Sequence, residues 1–309
     1  MSSYNGVIYG IVFCLISAAF DVFVAYLTQS INSAIVIFYC FMSSTLLFMA
    51  ISIFKGIDEL ILKVRNNTLL VLIINVSVLL NWGGLIISLR FLEPAIVGVA
   101  SVACGPAITI LLSSLMDKDE AKTEKLEVVI SWLVLVGVGI MLVNSFLGNS
   151  GLSSTSTQDR IIGIVSVIFS AVGTVLYTIF SKKLFKEKWK TYEILSVRNI
   201  LMVILSFCYI SLSDVSFGLN IEMILPMVIL VIIGHLLPIY LIQKTINAIK
   251  PLHVSLLLLL IPVFVICFQY LDSRIAFSIE SLIAVLVIVS LLTVLGISKI
   301  KKTKGYSEV

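Results

Sequence analysis

Long apolar runs separated by short polar breaks dominate this chain. The runs predict ten helical segments, at residues 6–27, 34–53, 68–89, 94–116, 128–147, 161–180, 191–212, 221–242, 252–271 and 278–297. Each is close to the roughly 20 residues that a membrane-crossing helix needs. Isolated apolar strands would leave backbone groups unpaired in lipid, and the alternation of a transmembrane barrel is missing, so the runs are read as helices. The stretch GNSGLSSTSTQD at 148–159 has the composition of a flexible linker. It predicts a first five-helix unit over 1–147, an outer linker over 148–160, a second five-helix unit over 161–298 and a basic tail over 299–309. With five spans in each half, the second half is inverted relative to the first. If the halves are related, this is an inverted repeat.

A repeated motif favours that relation. The third-to-fourth join reads LRFLEPAIVGVASVACGPAITILL, and the eighth-to-ninth reads INAIKPLHVSLLLLLIPVFVICFQ. Pro94 and Pro251 stand at helix starts, where the missing N–H is not needed. Pro106 and Pro262 follow inside the helices, where each should weaken the ladder locally.

Composition narrows the function classes. Of 309 residues, 60% are hydrophobic and 12% charged, with a mean hydropathy of +1.16. Soluble domains carry about twice that charge, so a soluble enzyme, a disordered chain and a secreted disulfide scaffold are excluded. Ten spans would leave no room for a soluble catalytic domain. The five cysteines, Cys14, Cys40, Cys104, Cys208 and Cys267, lie inside apolar runs without C-x-x-C spacing. With only His235 and His253 beside them, no metal site is expected. The first ten residues lack the basic region of a signal peptide and are read as the start of the first span.

Basic residues set the orientation. With the N-terminus in the cytoplasm, 17 of the 21 Lys and Arg fall on the inner side, including Lys182, Lys183, Lys186, Lys188 and Lys190 in one cluster. Lys118, Lys122 and the tail lysines join them. The outer side holds Arg90, Arg160 and Arg274, and Arg198 lies within a span. Both termini are therefore expected in the cytoplasm. The cluster is read first as a topology signal and second as a site for anionic lipid.

The chain resembles the drug/metabolite transporter superfamily, in particular its EamA-type bacterial members, over residues 6–297. The resemblance rests on the ten spans, the two inverted halves and the paired proline helices. It implies that spans one to four and six to nine surround a substrate cavity, with spans five and ten outside as supports. It also implies transport of small organic molecules, often outward. Many members carry an arginine near the start of the second helix of each half. Arg198, in LSVRNILM, fits that pattern, whereas the first half has Tyr39 and Cys40 in FYCFMSS.

Ionisable residues inside spans cost a few kcal/mol and usually face protein or water. Arg198 could clamp a carboxylate or phosphate with its fork of donors, or pair with helix carbonyls. Asp21 could bind a proton or an amine, or reach headgroup water. His235 could titrate near neutrality or make a local backbone bond near Pro238. Ser17 lies one turn from Asp21 on the same face. Asn81 and Trp82 precede Gly83 and Gly84, which allow close approach. Ser101, Cys104, Thr174, Tyr177 and Gln269 are further polar candidates, each with helix packing as the rival reading. The expected substrate-binding set is Arg198, His235, Asn81, Trp82, Asp21, Ser17, Ser101, Tyr177 and Gln269.

The expected fold is an all-α membrane protein of ten transmembrane helices. No P-loop is present in the sequence, so a secondary transporter of a small amphipathic solute such as an amino acid is expected, exporting by alternating access. The rival readings are a channel or lipid scramblase, and an enzyme within the membrane. No cofactor and no metal is expected. The expected partners are a small-molecule substrate and membrane lipids, without nucleic acid, and a homodimer is left open. The expected place is the cell (inner) membrane, crossed several times.

Overall fold

A computed structural model describes residues 3–116, 125–148, 155–272 and 279–305. Lys118, Lys122 and Arg274 lie outside the described residues, as do residues 149–154 of the predicted linker. The helices are α1 Ser3–Ser30, α2 Ser33–Asn66, α3 Thr68–Val78, α4 Gly84–Phe91, α5 Pro94–Met116, α6 Lys125–Leu147, α7 Thr157–Lys186, α8 Thr191–Val197, α9 Ile200–Leu212, α10 Ile221–Ile229, α11 Leu237–Ala248, α12 Pro251–Leu258, α13 Leu260–Gln269 and α14 Ile279–Gly305. Two π-helical segments, Leu79–Gly83 and Leu230–Leu236, join α3 to α4 and α10 to α11. No strand occurs among the described residues.

Seven stretches are long and apolar enough to cross a membrane: Tyr4–Ser30, Ser33–Asn66, Thr68–Phe91, Val128–Leu147, Thr157–Lys186, Thr191–Leu212 and Ile221–Ala248. Three shorter apolar stretches, Pro94–Gly105, His253–Gln269 and Ser281–Leu295, fall within the other three predicted segments. The protein is a multi-pass helical membrane protein. Its outer faces agree: Val129, Trp132, Leu133, Val136 and Ile140 of α6 are more than half exposed, as lipid-facing side chains should be.

Local chemistry explains where helices depart from the predicted bounds. Within the predicted linker, Ser156 caps α7 and forms a reciprocal capping box with Asp159, so the helix starts at Thr157 rather than 161. Helix α2 continues to Asn66 past a break at Gly56, whose φ of 121° suits glycine. Pro238 denies a backbone donor just after Leu230–Leu236, which accounts for that π segment. Pro262 does the same beyond Leu259, where α12 gives way to α13. By contrast, α5 runs on through Pro106.

The seventh predicted span is cut in the middle, between α8 and α9 at Arg198 and Asn199. A neighbour fills the gap. Asn75 of α3 donates from Nδ2 to the Val197 carbonyl at 3.0 Å and accepts from the Leu201 N–H at 3.0 Å. Asn199 donates to Ser44 Oγ of α2 at 2.9 Å. A broken helix is tolerated in a membrane when adjacent helices satisfy the freed groups.

Helix contacts run mostly between the halves. Helix α7 packs on α4 and the Leu79–Gly83 segment, and α1 packs on α11 and the Leu230–Leu236 segment. A Cβ at Gly84 would collide with the Ser166 carbonyl, and one at Gly173 with the Asn81 backbone, so these interfaces need glycine.

At one end of the bundle, Glu193 is buried and paired with Lys63 at 2.8 Å, while Lys190 reaches Glu59 at 3.2 Å. The bond to Glu59 holds the Lys190 ammonium above the usual lysine range. Lys182 caps the end of α11, donating to the carbonyls of Ile246, Asn247 and Ile249 at 2.9, 2.8 and 3.0 Å. Two lysines of the predicted topology cluster are thus committed to internal contacts.

Candidate functional site: a central polar cavity

A narrow cavity lies between helices of both halves. Helix α1 supplies Phe13, Ser17 and Asp21, and the segment Leu79–Gly83 supplies Asn81 and Trp82. Ser101 comes from α5, and Thr174, Tyr177 and Thr178 come from α7. Ile242, Leu258 and Ile261 close it with apolar surface. Its volume of about 50 Å³ is well below the roughly 300–1,000 Å³ of a typical small-molecule site, so the site is narrow in this state.

The cavity brings together Ser17, Asp21, Asn81, Trp82, Ser101 and Tyr177 of the expected set. The helical period explains Ser17 with Asp21, and Thr174 with Thr178. The π segment explains Asn81 and Trp82, because its extra residue per turn turns both side chains inward. Thr174 Oγ1 lies 2.9 Å from Asn81 Oδ1, bridging the halves.

Arg198, His235 and Gln269 do not line the cavity. Arg198 is fully buried behind the wall, and its Nη1 donates to the Tyr177 hydroxyl. Its guanidinium carbon lies 4.8 Å from the Tyr177 ring centroid. Gln243, also buried, accepts from Tyr177 and lies 3.4 Å from Arg198 Nη1. A buried charge of this kind costs several kcal/mol unless hydrogen bonds compensate it. Arg198 therefore touches the cavity through Tyr177.

His235 is fully buried in an aromatic box. Its ring centroid is 4.3 Å from that of Phe41 and 5.7 Å from that of Trp82, both edge-on. Neither ring nitrogen has a hydrogen-bond partner among the described residues, so no local backbone bond forms near Pro238.

Gln269 serves a different cluster. Its Nε2 donates to Glu93 Oε1 at 2.6 Å, and its Oε1 accepts from the Ala95 N–H at 3.0 Å. Ser281 donates to Glu93 Oε2 at 3.2 Å. Glu93, just before α5, thus ties together α5, α13 and α14. This places Gln269 at a helix junction.

Asn75, Gln243, Thr178 and Glu93 were absent from the expected set. Glu93 carried the one usable signal, as a carboxylate immediately before a helix-starting proline. Asn75 and Gln243 act across long sequence separations.

Comparison with curated proteins finds no match. Eleven chains of solved structures match. One, described as the crystal structure of a protein, is 16% identical with a TM-score of 0.62, covering 95% of this chain and 96% of that one. That likeness shows a shared fold over nearly the whole length. The model of the EamA-like transporter family matches residues 161–298. This half of the chain belongs to the EamA-like transporter family, within the drug/metabolite transporter superfamily. The EamA-like half contributes Thr174, Tyr177 and Thr178 to the cavity, and holds Arg198, Gln243 and His235 behind it. Family and fold together point to a membrane transporter rather than an enzyme.

Proposed function

We propose that the protein is a secondary transporter of a small amphipathic organic solute, an amino acid or related metabolite, exported by alternating access across the cell (inner) membrane. In this reading the chain spans the membrane ten times, as two inverted five-helix repeats with both termini in the cytoplasm. The observation that carries it is the cavity between helices of both halves, lined by Asp21 and several hydroxyls. Such a site at a repeat interface suits alternating access.

Side-chain placement supports the repeat. A shift of 153 residues carries Phe20 to Gly173, Asn81 to Gly234 and Trp82 to His235. A Cβ at Gly173 would meet Asn81, and one at Gly234 would meet Phe20, so the same contact is made twice with the halves exchanged. Trp82 and His235, paired by the shift, meet each other edge-on. Both π segments occupy matching places. The same shift carries Gln29, which donates to the Arg90 carbonyl, to Lys182, which caps α11.

The test is solute counterflow in proteoliposomes containing the purified chain. Uptake that saturates with solute and is accelerated by the same solute inside supports a carrier. Flux linear in concentration without counterflow points to a channel and removes the proposal.

A further inference from the structure

We infer that the cavity takes a solute bearing a protonated amine, with the Asp21 carboxylate as its counter-ion. This rests on the cavity being the transport site proposed above and adds the chemistry of the group it recognises.

Asp21 is 2% exposed, and what remains of its surface faces the cavity. Its Oδ1 has no hydrogen-bond partner among the described residues. The ion pairs among those residues involve Lys63, Lys190, Glu59 and Glu193, so none neutralises Asp21. Among the described residues, no lysine, arginine or histidine lines the cavity. The buried cation nearest its wall, Arg198, is turned to Tyr177 and Gln243. A buried carboxylate without a cation is costly, and a ligand ammonium would supply the missing charge.

The neighbouring hydroxyls point the same way. Thr174 lies within bonding distance of Asn81 Oδ1 and the Ser170 carbonyl. Thr178 donates to the Thr174 carbonyl, Ser101 to the Gly98 carbonyl, and Tyr177 to Gln243. The protons of Thr178, Ser101 and Tyr177 are committed; the Thr178 and Ser101 oxygens keep lone pairs for the cavity, while the Tyr177 oxygen already accepts from Arg198. The Asp21 carboxylate with the Thr178 and Ser101 oxygens suits a group with three N–H donors and no acceptor, which is an ammonium. The Phe13 and Trp82 rings and the aliphatic wall suit an apolar body attached to it. The Trp82 Nε1–H, itself without a partner, and the Asn81 amide and Ser17 hydroxyl at the same wall remain as donors for a hydroxyl or carbonyl elsewhere on the solute.

The test compares three probes of matched shape, phenethylamine, 2-phenylethanol and phenylacetate, by calorimetric titration of the purified full chain in nanodiscs. Phenethylamine is expected to bind at least tenfold more tightly than the alcohol, with no binding of phenylacetate. Asp21→Asn should weaken phenethylamine at least tenfold, and Asp21→Glu should restore part of the loss, with thermal unfolding confirming that each variant is folded. Equal or tighter binding of phenylacetate overturns the inference. So does undiminished amine binding by folded Asp21→Asn, or no binding of the amine by wild type. If the Asn variant does not fold, the wild-type order of the three probes decides. Saturable counterflow of a solute without an amine would overturn this inference while leaving the transporter reading intact.

Discussion

Asn75→Leu isolates the patch that holds the broken helix together. Leucine has the same branched arrangement of heavy atoms as asparagine but cannot serve the Val197 carbonyl or the Leu201 N–H, both bonded to Asn75 at 3.0 Å. Hydrogen bonds between membrane helices average about 0.6 kcal/mol each and reach about 1.7. Two lost bonds then cost about 1–3 kcal/mol, near the upper end because the freed backbone groups are buried at a helix break. Ser77→Ala is the control, since Ser77 donates only to the Ile73 carbonyl of its own helix, and the loss of that one bond should cost no more than about 1 kcal/mol. Thermal unfolding of the purified variants reads the difference, and Asn75→Leu should lose several degrees relative to the control. A midpoint equal to that of Ser77→Ala would refute the account of how the break is stabilised.

If Arg198 acts on the cavity through Tyr177, then Arg198→Ala and Tyr177→Phe should lower transport by similar factors, and the double variant should be little worse than either. Multiplicative losses in transport, normalised to membrane protein amount, would separate the two residues. Gly173→Val should reduce folded yield sharply, because its side chain would enter the Asn81 backbone, whereas Gly83→Ala should be tolerated, since a Cβ there meets only Leu79 at 3.6 Å and Met202 at 4.0 Å. Fluorescence-detected size exclusion of the two variants checks this. Lys63→Met should destabilise more than Lys190→Met, because Lys63 pairs with buried Glu193 at 2.8 Å while Lys190 is about half exposed and should contribute under about 1 kcal/mol. Equal unfolding midpoints would contradict this.

Seven of the spans were legible because lipid demands long apolar runs whatever their partners, and the helical period alone placed Ser17 with Asp21. Tertiary chemistry was not legible. The cut at Arg198 depends on Asn75, 122 residues before the Val197 carbonyl that it serves, and no local propensity marks it. Arg198 and Tyr177 were both chosen as candidates, but only the fold puts one behind the other. Gln269 looked like a cavity residue because it is polar and lies inside an apolar run. Its partner Glu93 lies in a turn where a charge attracts no notice. His235 and Trp82 were chosen separately, and their meeting follows from how the halves cross. The early start of α7 was readable in principle, since Ser156 and Asp159 have capping-box spacing, but the surrounding Gly, Ser and Thr masked it.

The cut between α8 and α9 also has a mechanical meaning. An unbroken helix of the length of Thr191–Leu212 would behave as one stiff rod about 33 Å long. Cut at Arg198, it becomes two levers of seven and thirteen residues. The shorter lever is clamped to α2 through Glu193 and Lys63, while the longer one extends past Ser44 and Phe38. Tilting either lever need not tilt the other, since the joint is held by side chains of Asn75 and Ser44 rather than by a backbone ladder. Bending compliance is therefore concentrated at the level of Arg198, beside Tyr177 and the cavity wall, where a small rotation changes the width of the site without disturbing either membrane face.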